Sequence, residues 1–224
     1  MANTATDAPS RNGAADEPTG SPTFELRRLE RVTFEVAIVG TAPLIVHRWS
    51  EKAKRLMLEA SQTKAKSKRE PRDPVADFEA SRYRLADGRD GFPAVGFKAA
   101  IVHAGRLFDK SLTQVALKQS MYVKGEGSEM LVPLLCPDGP TMREDTVRVG
   151  MGTADLRYRA SYWPWFARVQ VQTVAGQFDL ESVYALVDAA GIGGVGEWRP
   201  TAPKSATGSY GTFEVVAEED LPNV

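Results

Sequence analysis

The chain has 224 residues, of which 42% are hydrophobic and 25% charged, and its formal net charge is −1. Such a composition is that of a globular protein large enough to bury a substantial core. No apolar run reaches the about 18 residues of a membrane-spanning helix, and no basic region followed by an apolar one opens the chain, so we expect neither a membrane protein nor a secreted one. A single cysteine, Cys136, cannot form an internal disulfide, which favours a reducing cytoplasm.

The charge is distributed unevenly. Between residues 48 and 72, nine basic residues stand against three acidic ones, which predicts a basic stripe. Acidic residues gather between 214 and 220 and would keep that end away from a polyanion. A solvated face is the plain alternative for either segment. Residues 1–22 are almost all small, polar or proline, so we predict a disordered N-terminal arm followed by a single domain over 23–224.

The first predicted strand covers residues 32–39, where apolar and polar residues alternate, and it ends near Pro43. A helix is predicted over 50–62, because this range begins with a serine suited to an N-cap and continues with good helix formers. The basic segment 63–74 has no apolar periodicity and is predicted to be a mobile loop. We therefore expect residues 50–90 to form a helical and basic insertion, with a turn at Asp87-Gly88.

A second helix is predicted from about Gly96, because apolar residues recur at spacings of three and four, namely Phe97, Ala100, Ile101, Ala104 and Phe108. Strands or hairpin arms are predicted next, over 115–125, 129–135, 145–151 and 166–174. A helix over 179–191, capped by Asp179 and Gly191, precedes a final strand over 209–216. This order predicts an α+β fold, a ferredoxin-like or RRM-like antiparallel sheet with two packing helices and large insertions.

The most unusual segment is the glycine-rich loop at 191–211. Glycine lets a backbone approach a partner closely and expose its N–H groups, which suits phosphates. Gly191, Gly193 and Gly196 spell G-x-G-x-x-G, but they follow a predicted helix, whereas a dinucleotide-binding loop follows a strand and opens a helix. We therefore expect no dinucleotide site, and no Walker loop, since no Gly-Lys-Ser or Gly-Lys-Thr closes the run.

Residues suited to catalysis are scarce. The chain has two histidines, His47 and His103, and one cysteine, Cys136, which lies in an apolar strand and is expected to be a buried, inert thiol. No metal-ligand spacing and no catalytic constellation are apparent. We expect a protein that is not an enzyme and uses no metal and no cofactor.

Aromatic and basic residues, by contrast, interleave at 47–49, 82–84, 156–165 and 197–199. Guanidinium groups neutralise phosphates, and aromatic rings stack on unpaired bases, so this pattern is typical of single-stranded nucleic-acid binding. The alternative for 156–165 is that its aromatic residues belong to the core and its arginines to the surface.

Two motifs carry a family resemblance. Residues 92–106, FPAVGFKAAIVHAGR, resemble the P-x-S-x-K-G-A-L-R segment of the RAMP superfamily, the RRM-like backbone subunits of CRISPR effector complexes. Residues 191–213 resemble that family's C-terminal glycine-rich loop, and the chain is also similar to phage proteins expected among replication or recombination genes. The resemblance implies a subunit that stacks into a helical filament along a nucleic-acid strand, with Lys98 touching a phosphate and Gly193, Gly194 and Gly196 presenting backbone amides.

The sequence thus predicts a phage-type protein of the host cytoplasm that binds single-stranded nucleic acid, in the first place DNA, and oligomerises on it. The alternatives are a self-assembling structural phage protein and a guide-RNA-binding subunit of a CRISPR-type effector. The predicted contact residues are Arg48, Trp49, Lys64, Lys66, Lys68, Arg69, Lys98, Arg157, Tyr158, Arg159, Trp163, Gly193, Gly194, Gly196, Trp198, Arg199 and Lys204.

Overall fold

The structure, a computed structural model, describes residues 28–49, 51–62, 72–148, 154–203 and 207–222. The strands of this part of the chain are β1 (Arg31–Gly40), β2 (Leu44–Val46), β3 (Tyr83–Arg84), β4 (Asp90–Pro93), β5 (Met121–Val123), β6 (Leu131–Leu135), β7 (Thr141–Arg148), β8 (Ala154–Tyr162), β9 (Phe166–Val174) and β10 (Phe213–Val215). Its α-helices are α1 (Glu51–Gln62), α2 (Pro74–Ser81), α3 (Ala94–Ala104), α4 (Gln114–Ser120) and α5 (Leu180–Gly193). The chain is α+β with antiparallel sheets, as predicted.

The main sheet has the strand order β10-β1-β9-β6-β4-β3, and β5 pairs with β9 beside β6. Its centre is the long β1–β9 pair, in which Arg31 lies opposite Val174 and Val39 opposite Phe166. Val36 and Ile38 are fully buried, which fits the face predicted from the alternation. Helices α3 and α5 pack against each other and share one hydrophobic cluster with this sheet.

Helix α5 begins where the sequence predicts, because the Asp179 carboxylate accepts a hydrogen bond from the Ser182 backbone N–H at 2.8 Å. It ends later than predicted. The helix passes through Gly191 and stops at Gly193, and Gly194 follows with a φ of 66°. A side chain at Gly191 would meet the Phe213 carbonyl oxygen at 1.8 Å, so this glycine permits the close crossing of α5 and β10 rather than capping the helix.

A second sheet of three strands, β2-β8-β7, stands beside the first. Strands β7 and β8 form one hairpin with Thr141 opposite Ser161 and Arg148 opposite Ala154. Helix α2 packs on β8, and the Ser81 hydroxyl accepts a hydrogen bond from the Ala160 backbone N–H at 3.0 Å. The hairpin is thereby held between the insertion that contains α2 and the segment that follows α5.

Besides the end of α5, two further local predictions were wrong. Residues 114–120 form helix α4, because the Thr113 hydroxyl caps it by accepting from the Ala116 N–H at 3.1 Å, and only 121–123 form a strand. Phe108 leaves the predicted apolar stripe of α3, since the helix ends at Ala104 and the ring is 50% exposed. The predicted arm at 1–22 and most of the predicted loop at 63–74 lie outside the described residues. Within the described ranges, no helix has the length and apolar character needed to cross a membrane.

Candidate nucleic-acid interface

A cavity of about 300 Å³ lies between β8, α2 and the segment after β2. Four residues singled out by the aromatic and basic pattern line it together: Arg48, Trp49, Arg157 and Tyr158. Their places in the chain are far apart, and the pairing of β2 with β8 brings them to one wall. Arg72 adds a further guanidinium from the start of the α2 segment.

A second cavity, of about 330 Å³, lies between the first turns of α3 and the loop after α5. Gly196 and Arg199 line it, as do the aromatic side chains of Tyr83 and Phe92. His47 belongs to the walls of both cavities, so the two adjoin at this residue. We call the two cavities together the groove.

The arginines of the groove already have partners. Arg72 binds the Asp155 carboxylate at 2.6 Å, and Arg157 approaches the same carboxylate at 3.7 Å. Arg48 pairs with Glu129. The Arg48–Glu129 pair is solvent-accessible, and such pairs contribute only about 0–1 kcal/mol, so a phosphate can replace Glu129 at little cost. Asp155 is only 18% exposed, and displacing it would leave a partly buried carboxylate without its arginines. Trp49 is 54% exposed, which leaves its ring available for stacking.

His47 is a neutral residue at the centre of the groove. Burial, followed by the positive charges of Arg159 and Arg157, lowers its pKa from 6.5 to about 4. Its Nδ1 atom is buried and finds no hydrogen-bond partner among the described residues. An anion bound beside His47 would offset the arginine charges and raise this pKa.

Trp198 has a different environment from the one predicted. Two guanidinium groups of the hairpin contact its ring, with the Arg143 and Arg159 carbons each 5.2 Å from the ring centre, and the ring packs on Tyr210 at a centroid distance of 6.0 Å. Its φ of 53° is in the left-handed region, which is uncommon for a bulky residue. These contacts fasten the loop after α5 to the hairpin.

Arg159 is 1% exposed. Its guanidinium lies 3.5 Å from the Asp145 carboxylate and 3.6 Å from that of Glu197. A strand on the protein surface would not reach this side chain. Arg159 instead acts from beneath the groove, through its charge on His47 and its contact with Trp198.

The glycines of the loop pack against the protein itself. The Gly194 N–H donates to the Ala190 carbonyl at 3.0 Å, and the Gly193 carbonyl accepts from the Thr201 hydroxyl at 2.9 Å. A side chain at Gly196 would meet the Ile45 carbonyl oxygen at 2.6 Å. The Arg199 guanidinium donates to the Gly196 carbonyl at 2.8 Å. Close packing on β2 therefore accounts for Gly196, which still lines the groove, whereas Gly193 and Gly194 pack against Thr201 and Gly211 of the loop itself.

Two predicted contact residues lie elsewhere. The Lys98 ammonium points away from the loop and donates to the Lys118 carbonyl at the end of α4, at 3.0 Å. Trp163 is 50% exposed in the turn between β8 and β9, whereas Tyr162 and Trp165 beside it are fully buried core residues. The remaining predicted residues, Lys64, Lys66, Lys68, Arg69 and Lys204, lie outside the described residues.

Sequence reasoning missed several residues that shape the groove. Asp155 and Glu197 place carboxylates beside the arginines, and Arg143 and Tyr210 hold Trp198. Arg143 could have been found only from its position opposite Arg159 in the β7–β8 hairpin, and that position is known only when the register of the two strands is known.

Cys136 was predicted to be buried within a strand, but it follows β6 and is only half-buried; burial raises the pKa of its free thiol. No group of three or more potential metal ligands occurs among the residues that the structure describes. The chain matches no protein-family model, and no curated protein is significantly similar to it.

Proposed function

We propose that this protein binds single-stranded nucleic acid in the groove, stacking bases on Trp49 and Tyr158 while Arg48, Arg72 and Arg157 contact phosphates. The observation that carries the proposal is the convergence of these side chains on one wall from three separate parts of the chain. Base stacking on an aromatic ring contributes about 1–3 kcal/mol per base and tolerates any sequence. Arg48, whose partner Glu129 is exposed, can exchange that carboxylate for a phosphate, and Arg72 and Arg157 have further N–H donors besides those directed at Asp155.

The topology supports a ferredoxin-like, RRM-like fold of the RAMP type. Strands β10, β1, β9 and β6 follow the spatial order 4-1-3-2 of a split βαβ unit, with α3 and α5 as its two helices. The open face of this sheet carries hydrogen-bonded polar pairs, Gln170 with Glu35 and Gln172 with Thr33, where RRM domains place stacking aromatics. The exposed tryptophan next to arginines lies in the groove instead, and this favours the groove as the binding surface.

Comparison of two tryptophans tests the proposal. Trp49 and Trp163 are 54% and 50% exposed, but only Trp49 lines the groove. We expect Trp49→Ala to weaken binding of a fluorescent oligothymidylate about tenfold, as the loss of one stacked base predicts, while Trp163→Ala binds like the wild type. Equal affinity of the two variants would refute the groove as the site.

Nuclease treatment of the purified protein distinguishes nucleic-acid binding from the two alternatives, a structural phage protein and a CRISPR-type effector subunit. A nucleic-acid-binding protein should release its strand and lose its filaments on nuclease treatment, as electron microscopy can show. Filaments that persist after nuclease treatment would favour a structural assembly protein. Co-purifying RNA of one defined length would favour the effector subunit.

A further inference from the structure

A cleft of about 1,340 Å³ at the opposite side of α3 has a more basic lining than the groove. The residues just before β1, the end of α4 and the adjoining parts of β5 and β9 form its walls. Four cationic side chains line it, Arg28, Arg31, Lys98 and Lys118, against a single carboxylate, Glu30. We call it the basic cleft.

The cations of the basic cleft differ from those of the groove in their partners. Within the described ranges, none of the four forms an ion pair, whereas Arg48, Arg72 and Arg157 in the groove are each paired with a carboxylate. The Lys98 ammonium uses one of its three donors on the Lys118 carbonyl and keeps two. Among the described residues that line the cleft, Glu30 alone offsets part of this positive charge.

The other side chains of the cleft suit a polar polymer. Tyr122 is 45% exposed and presents a ring, and Gln119 and Ser120 supply hydrogen-bonding groups. The Thr173 hydroxyl in the cleft wall is buried and has no hydrogen-bond partner among the described residues. Because Thr173 is only 2% exposed, a strand in the cleft would not reach this hydroxyl, and the exposed side chains of the cleft have to make the contacts.

We propose that the basic cleft is a second binding site, separate from the groove, for the phosphodiester backbone of a second nucleic-acid strand. The inference rests on the proposed function, and it gives one subunit the means to hold two strands at once, as strand annealing requires. The two sites share no lining residue. Helix α3 separates them, with Lys98 in the basic cleft and His103 in the groove.

Native mass spectrometry with hexathymidylate tests this proposal. The cleft variant is Arg31→Gln with Lys118→Gln, and the groove variant is Trp49→Ala with Arg157→Gln. We expect two oligonucleotides per wild-type chain and one per chain of either variant. Arg31→Lys with Lys118→Arg keeps the charges and should again bind two, and this result excludes a merely structural effect of the cleft substitutions.

The salt dependence of binding provides a second readout. Each phosphate contact on a single strand contributes a slope of about 0.7 in log affinity against log salt, so the cleft variant should lose about 1.4 from the summed slope. Retention of two oligonucleotides by the cleft variant overturns the proposal. If the wild type binds one oligonucleotide and the groove variant binds none, the cleft is not a binding site, while the proposed function of the groove stands. No oligonucleotide on the wild type refutes the proposed function itself.

Discussion

The Arg143 guanidinium lies over the Trp198 ring, its central carbon 5.2 Å from the ring centre. This contact joins the β7–β8 hairpin to the loop after α5, and Tyr210 completes it at 4.9 Å from the same guanidinium carbon. The hairpin wall of the groove and the glycine loop are therefore positioned relative to each other by one cationic and aromatic cluster. Within the described structure, the contacts of this cluster link the two segments that border the groove.

Removal of Trp198 should destabilise the protein. We expect Trp198→Ala to lower the free energy of unfolding by about 2–3 kcal/mol, because two cation–π contacts and the packing on Tyr210 are lost. Trp198→Gly should be about 1 kcal/mol less harmful than Trp198→Ala, since glycine accepts the φ of 53° without strain. Urea denaturation measures both, with Trp163→Ala as the exposed control. A loss no larger than that control would show that the cluster is not a support.

Arg159 should matter for stability and Arg157 for binding. Arg159→Ala leaves Asp145, which is 4% exposed, with Arg143 as its remaining partner, so we expect a loss of about 1–3 kcal/mol, less than the about 3–5 kcal/mol of an unpaired buried charge. Arg157 is one third exposed and pairs weakly, so Arg157→Ala should change stability by less than about 0.5 kcal/mol. Urea denaturation and strand titration of both variants check the contrast. Equal stability losses would contradict it.

The stability of the protein should depend on the ionisation of His47. Its pKa is about 4 in the folded chain and 6.5 unfolded, so the unfolded state binds more protons between these values. The stabilisation is therefore complete above pH 6.5 and is lost as the pH falls towards 4. Because the residue is partly exposed, we expect a loss of about 2 kcal/mol or less. Urea denaturation at pH 7 and pH 5 should show a smaller difference for His47→Gln than for the wild type, and an unchanged difference would be evidence against His47 as its source.

Two glycines with similar φ values allow the cost of backbone strain to be distinguished from the cost of steric crowding. Gly196 has a φ of 79° and lies against the Ile45 carbonyl, whereas Gly139 has a φ of 70° and nothing within 4 Å of an added Cβ. Alanine at either position has an unfavourable φ, but only Gly196→Ala also forces the loop away from β2. We expect a loss of about 1 kcal/mol for Gly139→Ala and at least about 2 kcal/mol for Gly196→Ala in thermal or urea unfolding. Equal losses of stability in the two variants would mean that the loop moves away from β2 at no energetic cost.

The long elements of the fold could be predicted from local sequence. Alternation over 32–39 predicts β1, the spacing of Phe97 and Ile101 predicts α3, and Asp179 marks the start of α5, because each pattern reflects burial or capping within one segment. The end of α5 could not be predicted from local sequence. Gly191 lies inside the helix because the Phe213 backbone crosses it too closely for a side chain, and Phe213 is more than twenty residues away in the chain.

For the candidate site, the sequence by itself determined the chemistry: rings beside guanidinium groups, with few residues suited to catalysis. The tertiary structure decided which of these residues meet. Trp49 and Arg157 share a wall because β2 pairs with β8. Arg159 is buried, Trp198 packs on the hairpin, and Lys98 lies on the far side of α3. The physical reason is that exposure and mutual distance depend on strand register and helix packing, which no single segment of the chain encodes.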